Sequence, residues 1–265
     1  MKVWWKGMCA IAALASGAIA VAQEAFPSRP IRVIVPFSAG GMVDTSTRTL
    51  ADRVGQRLGQ QVIVENRAGA TGFIGTEMVA KAPPDGYTLL AAFDGTLTIA
   101  PHLTSKVPFD TLRDFQPITK FGDATLILVA HPSLSANTLG ELIAKKATIG
   151  TLSYGTSGTG SPNHVGGEML KQMTGLDLVH IPYKGGGQAI GDVVGGQIPL
   201  VYTAVATAQQ FVKSGKLKAL GVSSAKRSPS LPDTPTFIEA GLPGFVVDSW
   251  IGLLAPAKTP RPIVD

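Results

Sequence analysis

Apolar and polar positions alternate between two periods along this chain. Ile31–Val35 is an apolar run broken only by Arg32, and Pro36, which has no N–H to give a ladder, ends it. After the small-residue stretch Ser38-Ala39-Gly40-Gly41, apolar positions recur at Val43, Leu50, Ala51, Val54 and Leu58, a helical spacing. Residues 31–58 thus predict strand, glycine loop and helix. The pattern repeats as a strand over 61–65, a glycine loop over 66–72, a helix over 73–81, a Pro-Pro-Asp-Gly turn, a strand over 87–92 and helical turns over 96–103. Two apolar stretches, 115–121 and 126–130, are separated by Gly122-Asp123 and mark the passage into a second unit. There Thr138-Leu139-Gly140-Glu141 is a capping box opening a helix to Ala147, and Pro162–Thr174 is a helix with proline at its start and Gly175 past its end. Strands are expected over 152–155, 178–182, 198–203 and 217–222, and helices over 188–194 and 204–213. The proline- and serine-rich stretch 223–235 reads as a return linker, 236–240 as helical and 246–254 as extended. The chain stops at Asp265 just after a helix start at Thr259-Pro260-Arg261-Pro262, so the sequence is expected to be cut short.

Strands alternating with helices imply parallel pairing in an α/β fold. The expected organisation is a targeting segment over 1–22, the first part of one α/β domain over 23–122, a second over 123–224, and an incomplete return to the first over 225–265. Two crossover linkers, near 122–126 and 223–235, would join them about a ligand cleft.

Composition narrows the function. The 265 residues, 45% hydrophobic and 15% charged, suffice for one large or two small domains. Lys2 and Lys6 precede an apolar stretch from Met8 to Ala22 that ends in Ala20-Val21-Ala22, the pattern of a signal peptide cut after Ala22. The single cysteine, Cys9, lies in that segment, so the mature chain is expected to have neither disulfide nor thiolate metal site. Removing Lys2 and Lys6 lowers the net charge from +5 to a mild +3, and no basic tract carries interleaved aromatics, which argues against nucleic acid.

Four glycine loops each precede a helix: Ser38–Gly41, Gly69–Gly72, Tyr154–Gly160 and Lys184–Gly187. Helix starts carry unpaired N–H groups and a positive dipole end, and ligands of open α/β sheets lie at the carboxyl ends of strands. Two such loops per domain predict a cleft for a small anion. No loop completes a nucleotide motif: Asn163 and Ile190 stand where G-x-G-x-x-G needs its third glycine. Ser157 nearly fits a nucleophile elbow, but the last glycine, Gly160, comes one place late. A secreted serine hydrolase therefore stays open as the alternative, with hydroxyl donation or capping as the plainer roles of Ser157 and Thr159. His102, His131, His164 and His180 are scattered without metal-ligand spacing, so no metal or cofactor is expected. His164 suits either a ligand carboxylate or its own loop, whereas His180 on an apolar strand reads as packing. Asp44 suits either a ligand or the dipole of its helix. Of Tyr183 and Lys184, both placed to frame a ligand, Tyr183 is the stronger candidate.

The ordered series Pro36-Phe37-Ser38-Ala39-Gly40-Gly41 with Asp44 and Arg48, Glu65–Gly72, Pro84–Leu89, Tyr154–Gly160 with His164, His180–Gly185, Gly215–Leu220 and Trp250–Pro256 resembles the Bug family, the tripartite tricarboxylate transporter substrate-binding proteins of Gram-negative bacteria. The resemblance runs from Pro30 to Asp265. It implies a type II periplasmic binding protein fold that closes on a carboxylate held by backbone N–H groups, hydroxyls and waters, without catalysis. It also implies a monomer that delivers to a membrane permease. Carried over by position, the contacts would come from Phe37, Ser38, Ala39, Gly40, Gly41, Asp44, Ala70, Thr71 and Gly72 in the first domain. The second domain would supply Tyr154, Gly155, Thr156, Ser157, Gly158, Thr159, Gly160, His164, Tyr183, Lys184 and Gly185. The sequence departs from the family pattern at Ile198-Pro199 and Tyr202-Thr203, so contacts from that strand are left open. A sensor partner in place of a permease is not separable from sequence.

Overall fold

The computed structural model describes residues 26–265, so the expected targeting segment lies outside the described residues. In the first lobe, β1 (Ile31–Val35) pairs in parallel with β2 (Val62–Asn66) and β3 (Thr88–Phe93). Helices α1 (Met42–Leu58) and α2 (Phe73–Ala80) follow β1 and β2. In the second lobe, β5 (Leu152–Thr156) pairs in parallel with β6 (Leu178–Pro182) and β7 (Leu200–Ala204). There α5 (Pro162–Thr174), α6 (Gly186–Val194) and α7 (Val205–Lys213) follow the strands. The capping-box helix is split in two, α3 (Leu139–Ala144) and α4 (Lys146–Ile149), with Thr138 accepting from Glu141 N as expected.

One strand, β4 (Phe115–Ala130), serves both lobes. Its first part pairs antiparallel with β9 (Asp248–Pro256), and its last five residues pair with β7 and with β8 (Lys218–Val222). The two apolar stretches expected around Gly122-Asp123 are thus one strand. Gly122–Leu126 is no loose linker, because Gly122 through Thr125 stay paired with β9. Eight of the nine strands form one hydrogen-bonded path with β9 and β4 at its centre, and β8 pairs with β4 off that path.

The return crossing lies later than the linker expected at 223–235. Phe237, Leu242 and Phe245 are buried with Tyr154, Leu170 and Tyr202 in the second lobe's core, which holds the chain there until β9 begins. Burying two phenylalanines and a leucine contributes on the order of 1.5–3 kcal/mol each. The helix expected over 236–240 is a single turn. Thr236 and Glu239 form reciprocal capping bonds, but Gly241 at φ +95° and Pro243 stop its growth. The chain ends in α8 (Arg261–Val264). Among the described residues, no helix is long and apolar enough to cross a membrane.

Candidate functional site

The lobes meet where the glycine loops end their strands. Ser38 N donates to Lys184 O at 3.1 Å, linking the first loop to the fourth across the cleft. The second loop faces the third: a Cβ on Gly158 would sit 3.7 Å from Thr71 Oγ1. Gly69, Ala70, Thr71 and Gly72 all have positive φ, a costly run for Ala70 and Thr71 that presents this turn to the cleft. Thr96 fixes it by donating to Thr71 O at 3.0 Å.

Between these contacts lies a cavity of about 40 Å³, room for about three waters. Phe37, Gly41, Met42, Val43, Phe93 and Ser249 line it from the first lobe, and Leu126, Ser157, Pro162, Asn163, Gly186, Thr203 and Ala204 from the second. Residues at or next to the starts of α1, α5, α6 and α7 therefore surround one small space. Ser161 caps α5 with its side chain, while Gly41, Gly185 and Ala204 give α1, α6 and α7 no side-chain cap. Leading N–H groups of three helices are thus left without a side-chain acceptor at their caps, and the dipole of each adds positive potential. No titratable side chain lines the cavity.

Of the residues expected from sequence, Phe37, Gly41 and Ser157 line the cavity. Ser38, Gly185 and Lys184 form the interlobe contact, with the lysine side chain exposed and Lys184 N donating to Gln188 Oε1. Gly155 and Gly158 are buried in the second-lobe framework, while Ala39, Gly40 and Thr159 are exposed. Gly160 is packed against Ala100 and Leu103 of the first lobe.

Four expected side chains turn elsewhere. Asp44 is buried and saturated: it accepts from Gly40 N at 2.9 Å, Asn66 Nδ2 at 2.9 Å and Arg48 Nε at 3.1 Å. Burial raises its pKa, but the bonds from Arg48, Gly40 and Asn66 outweigh this and hold it below the ordinary value. Asn66 also donates to Phe37 O, so this network shapes the first loop from behind. Tyr154 lies in the core and donates to Glu168. Tyr183 donates to Asp192 at 2.7 Å, and burial with that bond pushes its hydroxyl up to about 12. His164 stacks on His180 with centroids 4.0 Å apart, and its Nδ1 accepts from Gly160 N. His180 Nε2 shares a 2.6 Å hydrogen bond with Thr156 Oγ1, which accepts from Gly158 N. Both histidines brace the third loop. Ser157 Oγ donates to Asn163 Oδ1 at 3.0 Å, so its hydroxyl is turned toward an amide and not an imidazole.

Asn163, Thr203 and Ser249 were missed, although Thr203 stands one residue before the carboxyl end of β7, where ligands of such sheets sit. Asn163 is fixed by donating to Tyr202 O.

Burial lowers the pKa of His164 against the pull of Glu168; burial, with His164 beside it, pushes His180 down to about 4. Both folded values lie below the unfolded value of about 6.5, so the folded state binds fewer protons. Their neutrality supports the fold above about pH 6.5 and is lost as pH falls toward 4. The unfolding midpoint is expected to drop across that window, and to drop less steeply in His180→Gln; equal slopes in a calorimetric pH series would show the pair to be irrelevant.

The model of the tripartite tricarboxylate transporter family receptor, TctC, matches residues 46–265. The periplasmic binding protein BugD is similar at 39% identity and TM-score 0.86, over 91% of this chain and 80% of that one. An R. palustris protein with adipate is 32% identical at TM-score 0.87, over 90% of this chain and 80% of that one. MatC from Rhodopseudomonas palustris with bound malate is 34% identical at TM-score 0.84, over 90% and 82%. The chain belongs to the tripartite tricarboxylate transporter receptor family of periplasmic solute-binding proteins.

Proposed function

We propose that this protein captures a small organic carboxylate in the periplasm and delivers it, as a monomer and without catalysis, to the membrane permease of a tripartite transporter. The observation that carries the reading is a cavity without titratable side chains that is ringed by the starts of four helices, three of them lacking a side-chain cap. Preformed N–H donors can replace a carboxylate's hydration without a paired charge. The adipate and malate held by two relatives fit such a site in chemistry. A signal peptide cut after Ala22 would supply the export step. Phe37–Gly41, Ala70–Gly72, Ser157–Gly160 and Gly185 would meet the ligand, mainly through backbone and hydroxyl groups. The lobes would part by bending at the paired crossings, where Thr125 of β4 lies beside Asp248 of β9. Ligand contact with both lobes favours the closed form only by its differential affinity for that form.

Thermal unfolding against dicarboxylates, tricarboxylates, hydroxy acids, aliphatic and aromatic monocarboxylates tests the reading. A ligand at 100 times its Kd stabilises by about 2.7 kcal/mol, a shift of several degrees for a chain of this size. A cooperative transition that no acid moves would refute it.

A further inference from the structure

We infer that Met42 sets the length of acid this site accepts, holding it to short chains by separating the interlobe cavity from a groove on the hinge side. The inference rests on the carboxylate reading and deepens it. A second space of about 200 Å³ lies against β4 where that strand passes between the lobes, lined by Gly122 to Thr125, by Ser46 of α1 and by Gln209 of α7. The cavity of about 40 Å³ and this groove share two lining residues, Met42 and Ala204. Met42 is the first residue of α1, in the first lobe, and Ala204 ends β7, in the second. The wall between the two spaces is therefore completed only when the lobes meet. Ala204 reaches no farther than its methyl, so the reach of that wall falls to the methionine.

A methionine is unbranched and turns about three bonds, so by itself it would yield to a ligand pressing past it. Here it is held from both sides. Its half-buried side chain packs against the first-lobe cluster that contains Phe37 and Phe93, and against the second-lobe cluster that contains Leu126 and Tyr202. Swinging it aside gives up both sets of contacts, whereas an acid that fits the cavity leaves them in place. The cavity has room for about three waters, so a carboxylate and a few further atoms fill it. A longer chain must hold the lobes apart or displace Met42 toward the groove. Beyond Met42 the walls turn polar, with Ser46 one helical turn further along α1, Thr125 and Gln209. Asp123 lines the groove as well, its carboxylate paired with Lys120 at 2.5 Å. A distal carboxylate would meet that charge and a distal methyl would not, so length is read in a series of each kind.

Purified protein, unfolded and refolded to release carried-over ligand, is titrated by calorimetry at pH 7.5 with linear dicarboxylates of four, six and eight carbons and linear monocarboxylates of three, five and seven. In a series that binds, the wild type is expected to take the shortest acid at least about tenfold more tightly than the longest, roughly 1.4 kcal/mol. Met42→Ala is expected to cut that ratio at least about tenfold. Adding Ser46→Met, which fills the groove from the next turn of the same helix, is expected to restore it. The readout is a ratio of affinities, so a uniform loss from altered closure cancels. A wild type that binds the longest acid as tightly as the shortest, or a folded Met42→Ala that keeps the wild-type ratio, overturns the inference and leaves the carboxylate reading standing. A ratio that falls in Met42→Ala and is not restored by Ser46→Met traces the effect to loosened closure and overturns it too. Should Met42→Ala fail to fold, Met42→Thr takes its place, and the wild-type ratio decides if neither folds. If neither series binds while another carboxylate does, that acid and its homologue two carbons longer are compared by the same criteria. Silence from every acid overturns the inference together with the carboxylate reading.

Discussion

Gly187→Ala is expected to weaken ligand affinity by at least about 100-fold, close to 2.7 kcal/mol, and to leave the empty protein as stable as before. Gly187 is the second residue of α6, on the second lobe. A Cβ there would lie 2.3 Å from Ala39 O and 3.1 Å from Gly40 C and Gly41 N, all backbone of the first lobe. Backbone cannot rotate away as a side chain can, so the lobes must separate to accept the methyl. Within its own lobe the alanine suits a helix better than glycine, by up to about 1 kcal/mol. The substitution therefore acts on closure and not on folding. Gly191→Ala is the control: it lies in the same helix, nothing stands within 4 Å of the added Cβ, and affinity should not change. Calorimetric titration with a ligand from the carboxylate panel, beside unfolding curves of both variants, checks this. Equal affinity in Gly187→Ala would mean that the contact between the first and fourth loops is not part of the liganded state.

Asp44→Ala is expected to cost about 2–3 kcal/mol of stability and to weaken binding as well. Removing the carboxylate leaves Gly40 N without its acceptor, Asn66 Nδ2 with only Phe37 O, and Arg48 without its ion pair. The estimate is kept at the low end for a broken pair because the Arg48 side chain is half exposed and water can take over its charge. The binding loss follows from Gly40 and Phe37, whose backbone this network holds in place. Asp44→Asn can still accept from Gly40 N and should lose less. The pH dependence has a definite sign. The folded pKa lies below the unfolded value, so Asp44 stabilises above about pH 4, and that support disappears as the pH falls through the folded value. The stability difference between wild type and Asp44→Asn should therefore shrink below pH 4. Denaturant unfolding at neutral pH and at pH 3 measures it, and a constant difference would mean that the charge contributes nothing.

Reading the chain by period recovered elements whose signals are local. Pro162 and Gly175 bound α5 where they were expected to, and the loop at Ser38–Gly41 opens α1 as its glycines imply. The site was only partly legible. Loop glycines mark where backbone can approach a ligand, and Phe37, Gly41 and Ser157 do reach the cavity. A side chain's direction is not a local property. Tyr154 points into the core because Gly167 leaves room for its ring and Glu168 accepts its proton, partners supplied by the following helix. Asp44, next to a glycine loop, looked equally suited to a ligand; Asn66 and Arg48 fill its oxygens from a strand and a helix turn away.

By itself, then, the sequence determined the alternating strands and helices, the four glycine loops that precede helices, and the placement of its single cysteine in the expected targeting segment. Proline, glycine and apolar spacing act over a few residues, so the chain carries them openly. Only the tertiary structure decided that β4 runs unbroken through both lobes and that the second crossing waits until β9, because distant aromatic burial at Phe237 and Phe245 outweighs a linker-like composition. It also decided that four helix starts converge on one cavity without a charged side chain, since convergence depends on how two lobes close and not on any single stretch.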